Sequence, residues 1–228
     1  MTSIHDSDYS YEMRIDMIAS QIESRGIQDP QILQAFLDIP RHIFIPDFNH
    51  SEAYSDRPQP IKSGQTISQP FIVALMLSYM ELDKTHSVLE IGSGSGYATA
   101  VLSKLASHID AFEVYGDLVQ DSVTALELLE INNATVHHNS AWEQIDTNKV
   151  YDRIILWASP PKIPDYLFQL LKNDGILVAP EGKADQYVWI HKKEAGELQR
   201  IRKDAVRFVP LLRGSTEEID FSMRGSHE

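Results

Sequence analysis

The chain has 228 residues, 43% of them hydrophobic and 23% charged, which fits one ordinary globular domain and excludes wholesale disorder. With 20 Lys+Arg against 33 Asp+Glu its formal net charge is -13, so a nucleic-acid backbone is a poor partner. It has no cysteine, which excludes a disulfide scaffold, a thiol nucleophile and a Cys-held metal or cluster.

Residues 1–10 are polar and read as a frayed tail. Met13, Met17, Ile18 and Ile22 recur at helical spacing over Tyr11 to Arg25, and Gly26 ends the run. Asp29-Pro30 opens a second helix with Ile32, Leu33, Phe36 and Leu37 on one face, and Pro40 ends it. Residues 40–68 are proline-rich and irregular, with Phe44, Phe48 and Tyr54 as anchors. Ser68-Gln69-Pro70 starts a helix reaching about Met80, with Ser68 as its cap.

From there the pattern alternates. Strands are expected at Ser87 to Ile91, Ile109 to Val114, Ala134 to His137, Tyr151 to Trp157 and Gly175 to Pro180. Helices are expected at Tyr97 to Ala106, Leu118 to Ile131 and Ile163 to Leu171. Two late strands, Tyr187 to His191 and Ala205 to Leu211, have no helix between them. Such alternation implies an α/β, doubly wound, mostly parallel sheet of seven strands, with a helical cap over residues 1–80, a core over 81–214 and an antiparallel C-terminal edge. Residues 215–228 read as a tail. No apolar stretch approaches the roughly 20 residues of a membrane span, and the N-terminus has no signal-peptide pattern, so a soluble cytoplasmic protein is expected.

The chemistry concentrates at Glu90-Ile91-Gly92-Ser93-Gly94-Ser95-Gly96, between a strand and a helix. Glycines allow a tight turn and close backbone approach, and the following helix N-terminus favours an anion. The spacing is neither the dinucleotide fingerprint nor a phosphate loop, which needs Gly-Lys-[Ser/Thr]. Glu113 ends the next strand about twenty residues on, where an acid can hold two ribose hydroxyls. Together these point to an adenosyl ligand ending in a carboxylate, S-adenosylmethionine. Glu90 reads as an acid near that ligand's amino group, or as an acceptor for N–H groups of the turn. His137 and His138 are adjacent on a strand and face opposite sides, and no His pair has helical metal-ligand spacing, so no metal is expected. The basic residues near Arg200 read as a solvated edge.

Further motifs accompany the loop. They are Ile39-Pro40-Arg41-His42-Ile43-Phe44-Ile45-Pro46, Ala53-Tyr54-Ser55-Asp56, Ser63-Gly64-Gln65-Thr66-Ile67-Ser68-Gln69-Pro70, Tyr151-Asp152-Arg153-Ile154, Pro164 and Phe208-Val209-Pro210-Leu211. With them the chain closely resembles the protein-L-isoaspartate (D-aspartate) O-methyltransferases, from about Met13 to Gly214. The glycine loop marks any class I methyltransferase; the Gln65 to Pro70 run is specific to this family. The resemblance implies transfer of a methyl group from S-adenosylmethionine to the free carboxylate of L-isoaspartyl or D-aspartyl residues, with repair through a succinimide.

It also implies roles. Thr66 and Ser68 are expected on the acceptor carboxylate, together with backbone N–H groups of the helix start, and Ser68 can cap as well. Glu90, Gly92, Ser93, Gly94, Gly96, Glu113 and Ser140 are expected on the cofactor, with Gln65 and Ile67 shaping a lid. Tyr54 and Asp56 either line the peptide groove or anchor their loop. Three departures stand out. Asn139-Ser140-Ala141 replaces the usual Gly-Asp-Gly, leaving Ser140 as a weaker partner for adenine. Trp157-Ala158-Ser159 replaces a small-residue run, placing an aromatic at the active centre. Val114-Tyr115 stands where Arg often follows the acid. These departures keep a different acceptor, or a non-catalytic S-adenosylmethionine- or peptide-binding module, in view. The expected partners are isoaspartyl peptides and proteins, with neither nucleic acid nor membrane, and the expected state is a monomer or weak homo-oligomer.

Overall fold

The computed structural model describes residues 7–45, 50–140, 145–146 and 148–212. The expected tail at 215–228, and Ala141 beside Ser140, lie outside the described residues.

Ser7 caps helix α1 (Asp8–Met17) by accepting the Ser10 N–H at 3.2 Å. Asp8 to Ser10 are therefore helical rather than frayed, while residues 1–6 of the expected tail, and the expected anchor Phe48, lie outside the described residues. The helix widens into a π turn at Ile18–Ile22, tightens into a 3-10 turn at Glu23–Arg25, and stops at Gly26, whose φ of 95° is left-handed. Asp29 caps α2 (Pro30–Asp38) as its sequence position predicts. After a 3-10 turn at Arg41–Phe44 and the short α3 (His50–Ala53), the chain forms a small antiparallel ribbon, β1 (Gln59–Pro60) with β2 (Thr66–Ile67). Helix α4 (Pro70–Ser78) follows. Its cap position is Gln69, not Ser68, and no side chain caps it. Pro70 takes the first helical position, so Ser68 remains extended and its hydroxyl stays off the helix end.

The main sheet contains β3 (Ser87–Ile91), β4 (His108–Glu113), β5 (Ala134–His138), β6 (Tyr151–Leu156), β7 (Leu171–Gly182), β8 (Gln186–Glu194) and β9 (Glu197–Val206). Their order is β5-β4-β3-β6-β7-β8-β9. The first five strands in that order are parallel, in four pairs; β7–β8 and β8–β9 are antiparallel. Helices α5 (Tyr97–Ser103), α6 (Gly116–Leu128) and α7 (Asp165–Gln169) make the crossovers. The seven-stranded, doubly wound expectation holds. The last strand, however, is Glu197–Val206 and not Ala205 to Leu211. Ala195 and Gly196 have positive φ (50° and 86°) and close a two-residue turn that pairs Glu194 with Glu197. A polar edge strand carries little apolar alternation, which hides it in the sequence.

Alternate residues of the central strands feed two cores. Val88, Ile155, Ile176 and Val178 face α1, α2, α4, α5 and α6. Leu89, Ile91, Ile154, Leu156 and Leu177 face α7. The acid at Glu90 therefore shares the larger core's face with Val88. Buried Asp110 gathers Lys149, His137 and Tyr151, which gives His137 a structural use.

Gly96 joins two helices. Its φ is 90°, and a Cβ there would sit 2.3 Å from Ser122 Oγ and 3.1 Å from Ser122 Cα. Gly96→Ala is expected to destabilise by about 1–3 kcal/mol in urea titrations, from strain plus overpacking. A loss below about 0.5 kcal/mol would remove this close approach as the reason for glycine.

Candidate active site

Strands β3, β4 and β6 end at one edge of the sheet, where the chain leaves β3 through the glycine loop. Gly92 and Gly94 have φ of 82° and 56°, so the loop folds back across the strand ends. Its pocket is lined by Gly92, Ser93, Gly94, Ser95, Glu113 and Tyr115, among others. Glu113 is 6% exposed and accepts three backbone N–H groups: Gly94 at 2.9 Å, Val114 at 2.8 Å and Tyr115 at 3.0 Å. Burial pushes its carboxyl up, and these three bonds pull against that. Oε1 already accepts two of these bonds, so Oε2, which accepts one, keeps lone-pair capacity for a ligand hydroxyl. The Ser93 and Ser95 hydroxyls are buried without a hydrogen-bond partner beside the same pocket. Buried orphan hydroxyls, a glycine cradle and an anchored acid fit an adenosyl ligand carrying a carboxylate and an ammonium.

The segment before α4 closes this pocket. Gln65, Thr66, Ile67 and Ser68 all line it. The lid is pinned by Lys62 to Asp121 at 2.6 Å and by Ser63 Oγ to Asp117 at 2.8 Å. Gln65 Nε2 donates to Ser63 O at 3.1 Å. Beyond the lid lies a second groove, lined by Arg25, Gln69, Phe71, Leu75, Arg207 and Phe208, among others. Four residues line both spaces: Thr66, Ser68, Trp157 and Val209.

Other expected site residues sit elsewhere. Glu90 is 0% exposed and off the pocket wall; it accepts Thr99 Oγ1 at 2.6 Å and the Trp157 indole at 2.8 Å. Its strand register points it into the core, not toward a ligand's amino group. Gly96 packs on Ser122 and does not line the pocket. Ser140 is buried to 4% exposure while its neighbour Asn139 lines the pocket, because Asn139 N donates to Glu113 O and His137 O and turns the chain there. Tyr54 is 2% exposed and its hydroxyl lies 2.7 Å from His42 Nδ1, an anchor rather than a groove wall. Asp56 stands one layer back. It binds Arg25 at 2.6 Å and accepts Phe71 N at 3.3 Å, and Arg25 and Phe71 are the residues that line the groove. The first N–H groups of α4 are committed as well: Phe71 to Asp56, and Ile72 and Val73 to Gln69 O. These helix-start amides are thus already bonded within the chain.

One wall was missed by sequence reasoning. After β9 the chain runs beside Ser159, whose N donates to Val209 O at 2.8 Å and whose O accepts Leu211 N at 3.0 Å. This sets Val209, Pro210, Leu211 and Leu212 on the pocket. An apolar run straight after a polar strand is the signal that could have shown it. Among the described residues no group of three or more His, Cys, Asp or Glu could hold a metal, and no helix is long and apolar enough to cross a membrane.

Comparison with known proteins agrees with this geometry. The family model for Protein-L-isoaspartate(D-aspartate) O-methyltransferase (PCMT) matches residues 12–216. The chain is 37% identical over 201 residues to the protein-L-isoaspartate O-methyltransferase of Pectobacterium carotovorum, covering 88% of this chain and 97% of that protein. The Pectobacterium atrosepticum protein of the same name is likewise 37% identical, with the same coverage of 88% and 97%. A Plasmodium falciparum chain described as a protein-L-isoaspartate O-methyltransferase, in complex with S-adenosyl-L-homocysteine, superposes with a TM-score of 0.79 at 26% identity, covering 88% of this chain and 99% of that one. Another protein-L-isoaspartate O-methyltransferase structure gives a TM-score of 0.80 at 25% identity over 92% of this chain and 69% of that one.

Proposed function

The chain belongs to the protein-L-isoaspartate (D-aspartate) O-methyltransferase family, and from that premise we propose how its residues divide the work. The protein is an S-adenosylmethionine-dependent carboxyl methyltransferase acting on isoaspartyl peptides and proteins. The bound cofactor supplies an electrophilic methyl group on a sulfonium, and the resulting ester can collapse to a succinimide.

On our reading residues 81–214 hold the donor and residues 1–80 present the acceptor. Glu113 takes the ribose hydroxyls, and Ser93, Ser95 and the Gly92 to Gly94 backbone take the methionine end. Asn139, which lines the pocket, would hold the adenine in place of Ser140, which does not. The acceptor carboxylate, with an ordinary pKa of about 4, is ionised at pH 7 and needs no general base. This chain must therefore align an oxygen with the methyl group and exclude water. Thr66 and Ser68 are the hydroxyls in position to donate to that carboxylate. Trp157 and Val209 complete the passage.

The observation that carries the reading is that the glycine-loop pocket and the open groove share a wall made of Thr66, Ser68, Trp157 and Val209. A transferred methyl group must cross there. The test is labelled methyl transfer to matched isoaspartyl and aspartyl peptides, with Ser68→Ala alongside. The wild type should label the isoaspartyl peptide alone, in a base-labile form. Ser68→Ala should lower kcat about tenfold, one hydrogen bond's worth, with S-adenosylhomocysteine affinity held within about twofold. An equal loss of cofactor affinity would move Ser68 to the donor side. No labelling by folded wild-type protein would turn the reading toward another acceptor.

A further inference from the structure

We propose that Trp157 is a positioning residue for methyl transfer, whose indole, latched to buried Glu90, forms the gate between the cofactor pocket and the acceptor groove. This rests on the reading of the two pockets as donor and acceptor sites. Two hydrogen bonds fix the residue, and a third holds its partner. Its backbone N donates to Ile91 O at 2.9 Å, just past the end of β6. Its Nε1 donates to Glu90 Oε1 at 2.8 Å. The other Glu90 oxygen accepts Thr99 Oγ1 at 2.6 Å, so the carboxylate itself is held from α5. Gly92 lies beside the base of this side chain: a Cβ there would be 3.9 Å from Trp157 C and Cβ.

The pairing is chemically matched. An indole N–H can only donate, and an ionised carboxylate can only accept. At the end of β6 this chain thus has a ring and a buried acid to hold it. Glu90 does not line the pocket and is left without a ligand role by the mechanism. Holding Trp157 gives it one.

The latch depends on charge. Burial pushes the Glu90 carboxyl up to about 7, against the pull of its bonds to Thr99 and Trp157, and Glu113 is the charged group facing it. Above that pH Glu90 is ionised and the bond to the indole is charge-assisted. As pH falls through it the acid becomes neutral, and a neutral bond has roughly half the strength. The ring is then held more loosely where the carboxylate must meet the methyl group. Activity should fall on the acid side.

The experiment measures kcat/KM for an isoaspartyl peptide from about pH 5.5 to 9 in the wild type, Trp157→Phe and Glu90→Gln. S-adenosylhomocysteine affinity by calorimetry and thermal melting accompany each point. The wild type should lose about three- to fivefold through an acid limb near pH 7. Glu90→Gln keeps a neutral acceptor at every pH, so its profile should be flat at the wild type's low-pH level. Trp157→Phe keeps a ring but has no N–H, so it should also be reduced and flat. Cofactor affinity should stay within about threefold in both. An acid limb that persists in either folded variant, or Trp157→Phe matching the wild type at pH 8, overturns the proposal. So does a wild-type profile without a limb near pH 7. If the wild type fails to methylate the isoaspartyl peptide at all, the assignment of donor and acceptor sites fails instead.

Discussion

Glu113→Gln is expected to weaken S-adenosylhomocysteine binding by roughly 30- to 150-fold, with the folded state retained. Both carboxylate oxygens are used, Oε1 by Val114 and Tyr115 N–H and Oε2 by Gly94 N–H. A glutamine offers one oxygen and turns an NH2 group toward a backbone N–H, so either the loop or the strand end loses its partner. The same substitution removes the charge-assisted bond offered to a ribose hydroxyl. Bonds of that kind contribute about 2–3 kcal/mol, which converts to the stated range. Calorimetric titration measures it directly. Affinity within about threefold of wild type would mean that Glu113 only shapes the loop.

Arg153→Met is expected to cost about 3 kcal/mol of stability and lower Tm by about 6–12 °C. The Arg153 side chain is buried and donates to four carbonyls: Met80, Glu81, Asp152 and Asp174. Two belong to the chain just after α4, one to β6 itself and one to a bend within β7. Glu81 and Asp174 have positive φ (47° and 61°), so one guanidinium holds two unusual backbone bends and joins the N-terminal helices to the sheet. Burial lowers the Arg153 pKa, and Asp152, Glu81 and Asp83 work against that. Methionine keeps much of the aliphatic stem but supplies no donor, leaving carbonyls unsatisfied. Arg153 sits near the start of β6, and Trp157 and the pocket lie past its other end, so cofactor affinity per folded molecule should change little. Urea denaturation gives the stability. A loss under about 1 kcal/mol would show that water replaces the guanidinium at these carbonyls.

The two substitutions also mark what could be read directly. Glu113 was legible as a pocket residue because its place follows from order along the chain: strand, glycine loop, helix, strand, acid. Arg153 was not. It was visible only as part of a motif, and its four carbonyl partners come from three separate regions. The same division runs through the site. Gly92 and Gly94 line the pocket, whereas Gly96, grouped with them in the sequence motif, packs on Ser122. The choice between Asn139 and Ser140 depended on one backbone turn beside Glu113. Ser68 was given a helix cap that Gln69 occupies, because a proline two residues on left the boundary ambiguous by one position.

Reading along the chain was enough for the period of most elements, the parallel sense of the core strands, the glycine loop and the acid that follows it. These follow from spacing along one chain, through alternation, helical repeat and turn chemistry. The tertiary structure alone decided which side chains meet. Trp157 and Glu90 lie 67 residues apart and bond because β6 packs beside β3. Val209 to Leu212 reach the pocket because the chain after β9 returns alongside Ser159. Contacts of this kind depend on the order of strands in the sheet and on which face each residue takes, and no local pattern encodes either.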